Sequence, residues 1–214
     1  MFNFNDPKLT FDHDKHLYFY DGVIVPNTTR LLQDYGLIDF SHVPLARLNY
    51  KRDLGTAVHY ACFLLDENNL DESTLHPEIV PYVNAYKKFM EITGFEPRFS
   101  ELKLYSKKWR FATTLDRQGP FEWERKEQES VIELKCTWEM YPSTGPQTAS
   151  HKIVVEENFP EIKIKKRFGL QLKENGNYEI HPLTDPQDEN TFLACVVLHH
   201  WRERNGLIRP EREN

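Results

Sequence analysis

Apolar and aromatic positions along the chain form short alternating runs separated by helical stripes. Residues 9–12 and 16–20 alternate or run aromatic, and Asp21-Gly22 marks a tight turn before Val23-Ile24-Val25, so the pattern opens as a β-meander. Pro26-Asn27-Thr28-Thr29 then offers N-cap side chains for a short helix carrying Leu31, Leu32 and Tyr35 and stopped at Gly36. One helical segment is predicted over 43–51 and another over 54–67. In the second, Leu54, Val58, Cys62 and Leu65 recur at helical spacing, while Thr56, His59 and Phe63 point to a neighbouring face. Pro77 opens a helix over 78–92 with Ile79, Tyr82, Val83, Tyr86, Phe89 and Met90 as its apolar stripe, ended by Gly94.

Strand patterns take over in the middle of the chain. Residues 98–105, RFSELKLY, alternate and read as the first strand of a central sheet, with Glu101 inside it. A carboxylate within a strand is costly to bury unless paired or metal-bound, so Glu101 is either solvent-facing or functional. Trp109, Phe111 and Leu115 predict a second strand over 109–116, followed by an acidic and polar connector. Val131, Ile132 and Leu134 mark a third, short and mostly buried, over 130–135. A Tyr-Pro-Ser-Thr-Gly-Pro turn leads into a helix over 147–157. Ile162 to Leu172 and Tyr178 to Ile180 form a hairpin, and a last helix covers about 187–204 with Phe192, Leu193, Val196, Val197 and Trp201. The order of helix, three strands, helix, strand pair and helix predicts an α/β sandwich: a central mixed sheet flanked by helices, with the small N-terminal β-meander beside it.

If the 109–116 and 130–135 strands pair, the side chains of Asp116, Glu133 and Lys135 converge. Period two puts Glu133 and Lys135 on one face and turns Leu134 to the other. Two carboxylates with oxygen donors suit a hard divalent ion such as magnesium, which can lower the pKa of water and polarise a phosphoryl group. An amine beside them can position the attacking water or offset phosphate charge. The same pattern, D-x(n)-E-x-K, is weak by itself, and strand-end surface charges with a turn at Asp116 produce it too. His59 is likewise either a satisfied residue at the core edge or a ligand, depending on whether its helix lies beside that hairpin.

Composition bounds the rest. The 214 residues, 39% hydrophobic and 13% aromatic, suffice for a substantial core in one domain. No run approaches eighteen apolar residues, and MFNFNDPKLTF lacks a basic n-region followed by an apolar h-region, so a soluble, non-secreted protein is expected. Cys62, Cys136 and Cys195 are widely spaced and odd in number, which gives neither a disulfide framework nor a Cys-x-x-Cys site, and excludes a four-cysteine iron–sulfur cluster from this chain alone. A net charge of −6 counts against a nucleic-acid partner unless basic residues are local, as in Lys163, Lys165, Lys166 and Arg167 or Lys103, Lys107, Lys108 and Arg110; either cluster also reads as a solvated strand or turn.

The succession GTAVH (Gly55 to His59), a strand Glu, FATTLD, VIELK and QTASH resembles the RecB-like branch of the PD-(D/E)XK nuclease superfamily. More narrowly, it resembles phage and prophage exonucleases related to RecE and lambda exonuclease. In that branch a G-T-x-x-H helix precedes a G-T-x-D strand, a (D/E)-x-K strand and a Q-x-x-x-Y helix; the match spans residues 52–155, between an N-terminal 1–36 meander and helix and a closing 156–214 hairpin and helix. The resemblance implies a restriction-endonuclease-like sandwich over 1–214 and a metal-dependent exonuclease acting on linear duplex DNA in phage-type recombination or repair. It implies Mg2+ or Mn2+ as cofactor, DNA and a single-strand annealing protein as partners, and the cytoplasm of a bacterial host. Carried over by position, His59, Asp116 and Glu133 become metal-site residues with the Leu134 backbone carbonyl as a further ligand. Lys135 becomes the catalytic lysine, and Gln147 heads a helix that orients the site or touches DNA. Glu101 matches a carboxylate often seen on the strand before the aspartate. Thr113 stands where the motif has glycine, and His151 where it has tyrosine. Two other readings share the fold: a non-catalytic DNA-binding accessory module of recombination, against which the intact Asp116, Glu133 and Lys135 argue, and a nuclease acting on RNA or other nucleic acid.

Overall fold

The computed structural model describes residues 6–13 and 15–208. Residues 1–5, 14 and 209–214, which belong to the spans 1–36 and 156–214 named above, lie outside the described residues. The N-terminal alternation becomes an antiparallel sheet of β1 (Leu9–Asp12), β2 (Leu17–Tyr20) and β3 (Val23–Val25). Asp21 and Gly22 both take positive φ, 54° and 79°, as a two-residue turn of the twist-matched kind demands. Helix α1 (Thr28–Asp34) starts where expected, the Asn27 side chain accepting from the Arg30 N–H at 2.9 Å.

The segments expected at 43–51 and 54–67 are one helix, α2 (Leu45–Asp66), of 22 residues. Gly55 lowers helix propensity, yet burial of Leu54, Val58, Ala61 and Cys62 carries the helix through it. Helix α3 (Val80–Thr93) ends as predicted at Gly94, whose φ of 65° lets its N–H reach the Met90 carbonyl at 2.8 Å.

The central sheet is five-stranded and mixed, in the order β4 (Phe99–Ser106), β5 (Phe111–Trp123), β6 (Lys126–Lys135), β7 (Lys166–Leu172) and β8 (Tyr178–Pro182). All neighbours are antiparallel except β6 and β7, which run parallel and are joined by α4 (Thr144–Asn158). One face packs on α2 and α3; the other packs on α1, α4 and α5 (Asp188–Arg204). The polar connector expected after Asp116 does not exist, because β5 continues to Trp123 and pairs with β6 down to Trp123↔Lys126. Phe121 and Trp123 bury against Phe168, ring centroids 5.1 Å away in both cases, which accounts for the extension. The turn is Glu124-Arg125, both left-handed at φ 53° and 64°, without the Asn-Gly or Asp-Gly signature that would have marked it. Among the described residues no helix is long and apolar enough to cross a membrane.

One irregularity positions everything that follows. Pairing of β4 with β5 runs Ser100↔Arg117 and then Leu102↔Leu115, leaving Glu101 and Asp116 opposite each other but unpaired, with Glu101 at φ 48°. Regular period two would place residues 115 and 117 on one face. Instead Leu115 packs in the α1, α4, α5 layer while Arg117 lies under α2 and α3, and in β4 Leu102 and Ser100 divide the same way. A non-glycine residue in the left-handed region costs on the order of 1–2 kcal/mol, so the surroundings must hold it there.

The holding group is Arg117, fully buried. Its Nε lies 2.6 Å from Asp66 Oδ2 and donates to the Tyr86 hydroxyl at 3.1 Å; its NH1 donates to the Asp116 carbonyl at 2.7 Å and lies 3.2 Å from Glu101 Oε1. Asp66 also accepts from Tyr86 and Ser100 at 2.9 and 2.8 Å. Burial raises the Asp66 carboxyl's pKa while Arg117, Ser100 and Tyr86 pull against it. Removing one member of such a pair leaves the other charge buried alone. Asp66→Ala is therefore expected to lower the unfolding free energy by about 3–5 kcal/mol in urea titration, and a loss under about 1 kcal/mol would mean the pair is not what holds this region.

Candidate metal centre

Helix α2 passes across the sheet where β4, β5 and β6 carry their carboxylates, and it delivers His59. His59 Nδ1 lies 3.4 Å from Glu101 Oε1 and 3.4 Å from Asp116 Oδ1, while Nε2 faces the Leu134 carbonyl oxygen at 3.2 Å. One ligand atom from each of His59, Glu101 and Asp116 falls within 4.8 Å of the others. An imidazole nitrogen and two carboxylates form a donor set that fits a divalent ion such as Mg2+ or Mn2+, with the imidazole widening the range to transition ions, and the Leu134 carbonyl holds the other ring nitrogen.

A second group adjoins the first. Glu133 Oε1 accepts from Lys135 Nζ at 2.8 Å and from Gln147 Nε2 at 2.7 Å, and Lys135 Nζ also donates to Gln147 Oε1 at 3.0 Å. Gln147 comes from the first turns of α4, which starts at Thr144, earlier than the predicted 147. Leu134 joins the two groups, because its N–H donates to Asp116 Oδ2 at 2.7 Å and its carbonyl faces His59. The β5–β6 ladder stops at Arg117↔Ile132, so the Asp116 carboxylate takes an N–H that a main-chain carbonyl would otherwise hold.

The charges sort these groups. Burial alone would raise Asp116, but the adjacent His59, Lys135 and Arg117 hold its carboxyl well below the usual range. Burial and the neighbouring Asp116 charge push Glu133 up to about 7, against the pull of Lys135 and His59. His59, which burial would depress, is raised well above its ordinary value by Asp116 and Glu101. An ion entering the trio displaces that proton, since ligation needs the neutral ring. Lys135 is also raised: burial opposes its charge, and Glu133 and Asp116 outweigh that.

His59, Asp116 and Glu101 thus meet in one place, with the Leu134 carbonyl against the far side of the His59 ring, and Glu133, Lys135 and Gln147 meet in the adjoining one; Glu133 is not part of the trio within 4.8 Å. His151 is buried with Nδ1 3.5 Å from Glu133 Oε2, and neither ring nitrogen has a hydrogen-bond partner, nor has that carboxylate oxygen. Burial lowers its pKa to about 4, so it is neutral. Thr114 bonds the buried Tyr18 hydroxyl at 2.6 Å, tying the meander to β5 two residues before Asp116. Sequence reading missed Arg117, Asp66 and Tyr86; the one signal was a charged residue directly after Asp116 inside an apolar strand. The basic clusters divide. Arg167 turns inward to Asp188 at 2.8 Å and to the Gly145 carbonyl at 2.7 Å, whereas Lys163 and Lys165 are exposed. Lys103, in the middle of β4, stacks over Phe11 of β1, and Lys108 stacks over Trp109 in the β4–β5 turn.

No family model and no curated protein sequence matches the chain. Among solved structures, the crystal structure of a "Putative exonuclease" from Eubacterium rectale is similar over 76% of this chain and 70% of that one, at 12% identity and a TM-score of 0.44.

A ligand that binds only the folded state stabilises it by mass action. Manganese at 100 times its dissociation constant is expected to add about 2.7 kcal/mol of stability, reversed by chelator. In thermal melts His59→Ala and Asp116→Asn should each remove that manganese-dependent shift; a shift that survives both would place the ion elsewhere.

Proposed function

We propose that this chain is a divalent-metal-dependent nuclease that hydrolyses phosphodiester bonds of DNA, an exonuclease of the RecB-like branch of the PD-(D/E)XK superfamily, with residues 1–214 as one nuclease unit. The observation that carries the reading is the pair of adjoining groups joined at Leu134: three converging ion ligands on one side, and an amine fixed by a carboxylate and an amide on the other. The order of the motifs in the sequence supports the same assignment.

In this reading His59, Glu101 and Asp116 would hold the ion, with the Leu134 carbonyl and the buried, unpartnered Glu133 Oε2 as the neighbouring oxygens that would complete its coordination. The bound ion supplies Lewis acidity: it lowers the pKa of water and neutralises charge growing on the phosphoryl oxygens. Lys135, held as a cation, is a hydrogen-bond donor rather than a base. Its Nζ orients the attacking water or a non-bridging phosphate oxygen, and Glu133 Oε1 and Gln147 Oε1 fix where that ammonium points. The Gln147 amide is thereby a positioning group. His151, with 1% of its surface exposed, does not present its ring to DNA. The Leu134 N–H keeps Asp116 oriented, so the ligand trio is preorganised by main chain.

An exonuclease degrades linear DNA and spares closed circles. Incubation of linear, nicked and closed circular DNA with magnesium, manganese or chelator is expected to show ion-dependent loss of the linear form alone. Lys135→Ala should slow cleavage about 100-fold or more, roughly 2.7 kcal/mol of barrier, with DNA affinity within about threefold of wild type. If wild type and variant bind DNA equally and neither cuts it, the accessory-module reading replaces this one.

A further inference from the structure

Immediately after Lys135 the chain leaves β6 through residues 136–143 and displays Trp138, 93% exposed. An indole left in water costs free energy, and the segment carrying it is firmly tied. Gln171 of β7 donates from Nε2 to the Thr137 and Trp138 carbonyls at 2.8 and 2.6 Å, and Thr137 Oγ1 donates to the Glu139 carbonyl at 2.7 Å. Met140 fills the space over Gly169, where a Cβ would meet its thioether at 2.6 Å; Gly169 is the β7 partner of Glu133. The loop is thus held against the site strand while its largest apolar group points away from the protein. Tyr141 and, on α2, Tyr50 are also exposed, and Lys51 stacks over Tyr50 at 5.7 Å.

We propose that Trp138 is a stacking platform for an unpaired nucleobase, so that a single-stranded DNA end is held beside the metal centre. The proposal rests on the nuclease reading and names the part of the substrate recognised next to it. The charge balance selects the occupant. The chain carries a net −6, Glu139 lies on the same loop, and Glu78 and Glu174 lie near Tyr50, so phosphate attraction is weak here. A nucleic acid held at this place must gain from a ring face, and a base offers its face only when it is unpaired.

The test compares binding in chelator, where no cleavage occurs, of three probes of equal length: an oligothymidylate, an abasic single strand and a blunt duplex. Wild type is expected to bind the oligothymidylate about tenfold or more tightly than the abasic strand, with quenching of tryptophan fluorescence. Trp138→Ala should lose that preference and the quenching, and Trp138→Phe should keep most of the preference. The indole touches almost nothing, so an unchanged thermal midpoint will show that both variants fold. Equal discrimination by wild type and Trp138→Ala would overturn the proposal, and the nuclease reading would then stand or fall separately on cleavage of linear DNA by the wild type. A wild-type dimer in sedimentation that Trp138→Ala dissolves would assign the indole to a second copy and overturn it as well. Absence of any single-strand binding by wild type would overturn the proposal too, and the nuclease reading would again be decided by cleavage of linear DNA with the ion present.

Discussion

Concentrating carboxylates in a protein interior is the constraint on which this structure turns. Asp66 at the end of α2 approaches Glu101 and Asp116 of the sheet, and the buried charges of Asp66 and Asp116 would be prohibitive without a partner. Arg117 resolves this with one planar cation that reaches Asp66, Glu101 and the carbonyl of Asp116 at once. Its geometry suits the task, because a guanidinium presents several donors in fixed directions where an ammonium would be a point charge. The remaining carboxylate oxygens of Glu101 and Asp116 are then free to face His59 with excess negative charge, a setting that could hold a divalent ion.

The reversal of strand phase at Glu101 and Asp116 follows from the same demand. If β4 and β5 kept period two, Arg117 would share a face with Leu115 and sit among Val154, Val155 and Phe192 of the opposite layer, with no carboxylate to meet. The left-handed backbone at Glu101 shifts the phase, sends Arg117 and Ser100 under α2, and leaves Glu101 and Asp116 aimed at His59. The strain is local, and the ion pairs and hydrogen bonds of Arg117 and Asp66 offset it. Strained residues of this kind cluster where function fixes geometry.

These features set what could be read from the chain. The α/β class, the three-strand core, the α3 stop at Gly94 and the meander were legible, because alternation, apolar stripes and an Asp-Gly turn each report a local preference. The convergence of Asp116, Glu133, Lys135, Gln147 and His59 in space was legible through their types and order. The phase slip was not, since nothing about Glu101 as a residue type announces positive φ. The length of β5 was hidden because Arg117, Gln118 and Glu122 look like a solvated connector, and the Glu124-Arg125 turn lacks glycine. The break expected between 51 and 54 failed because burial outweighed the propensity cost of Gly55. Arg167 looked like part of a basic patch, but its partner Asp188 lies 21 residues away in sequence, beyond any local pattern.

Leu134 shows how core and chemistry are linked. Its side chain is fully buried with Ile132, Phe168 and Leu170, while its N–H orients Asp116 and its carbonyl faces His59. Its neighbours Glu133 and Lys135 turn the other way, toward Gln147 of α4. One packed residue therefore fixes the ligand trio relative to the amine. Since close-packed interiors respond to a single methylene, the spacing between the two groups is set by the core beneath them. Trp138 leaves the same strand three residues further on, tied back by Gln171 and Met140 to β7. The amine and the displayed indole thus follow one another along β6 and the segment leaving it, while His59, Glu101 and Asp116 come from α2, β4 and β5 and meet that strand at Leu134.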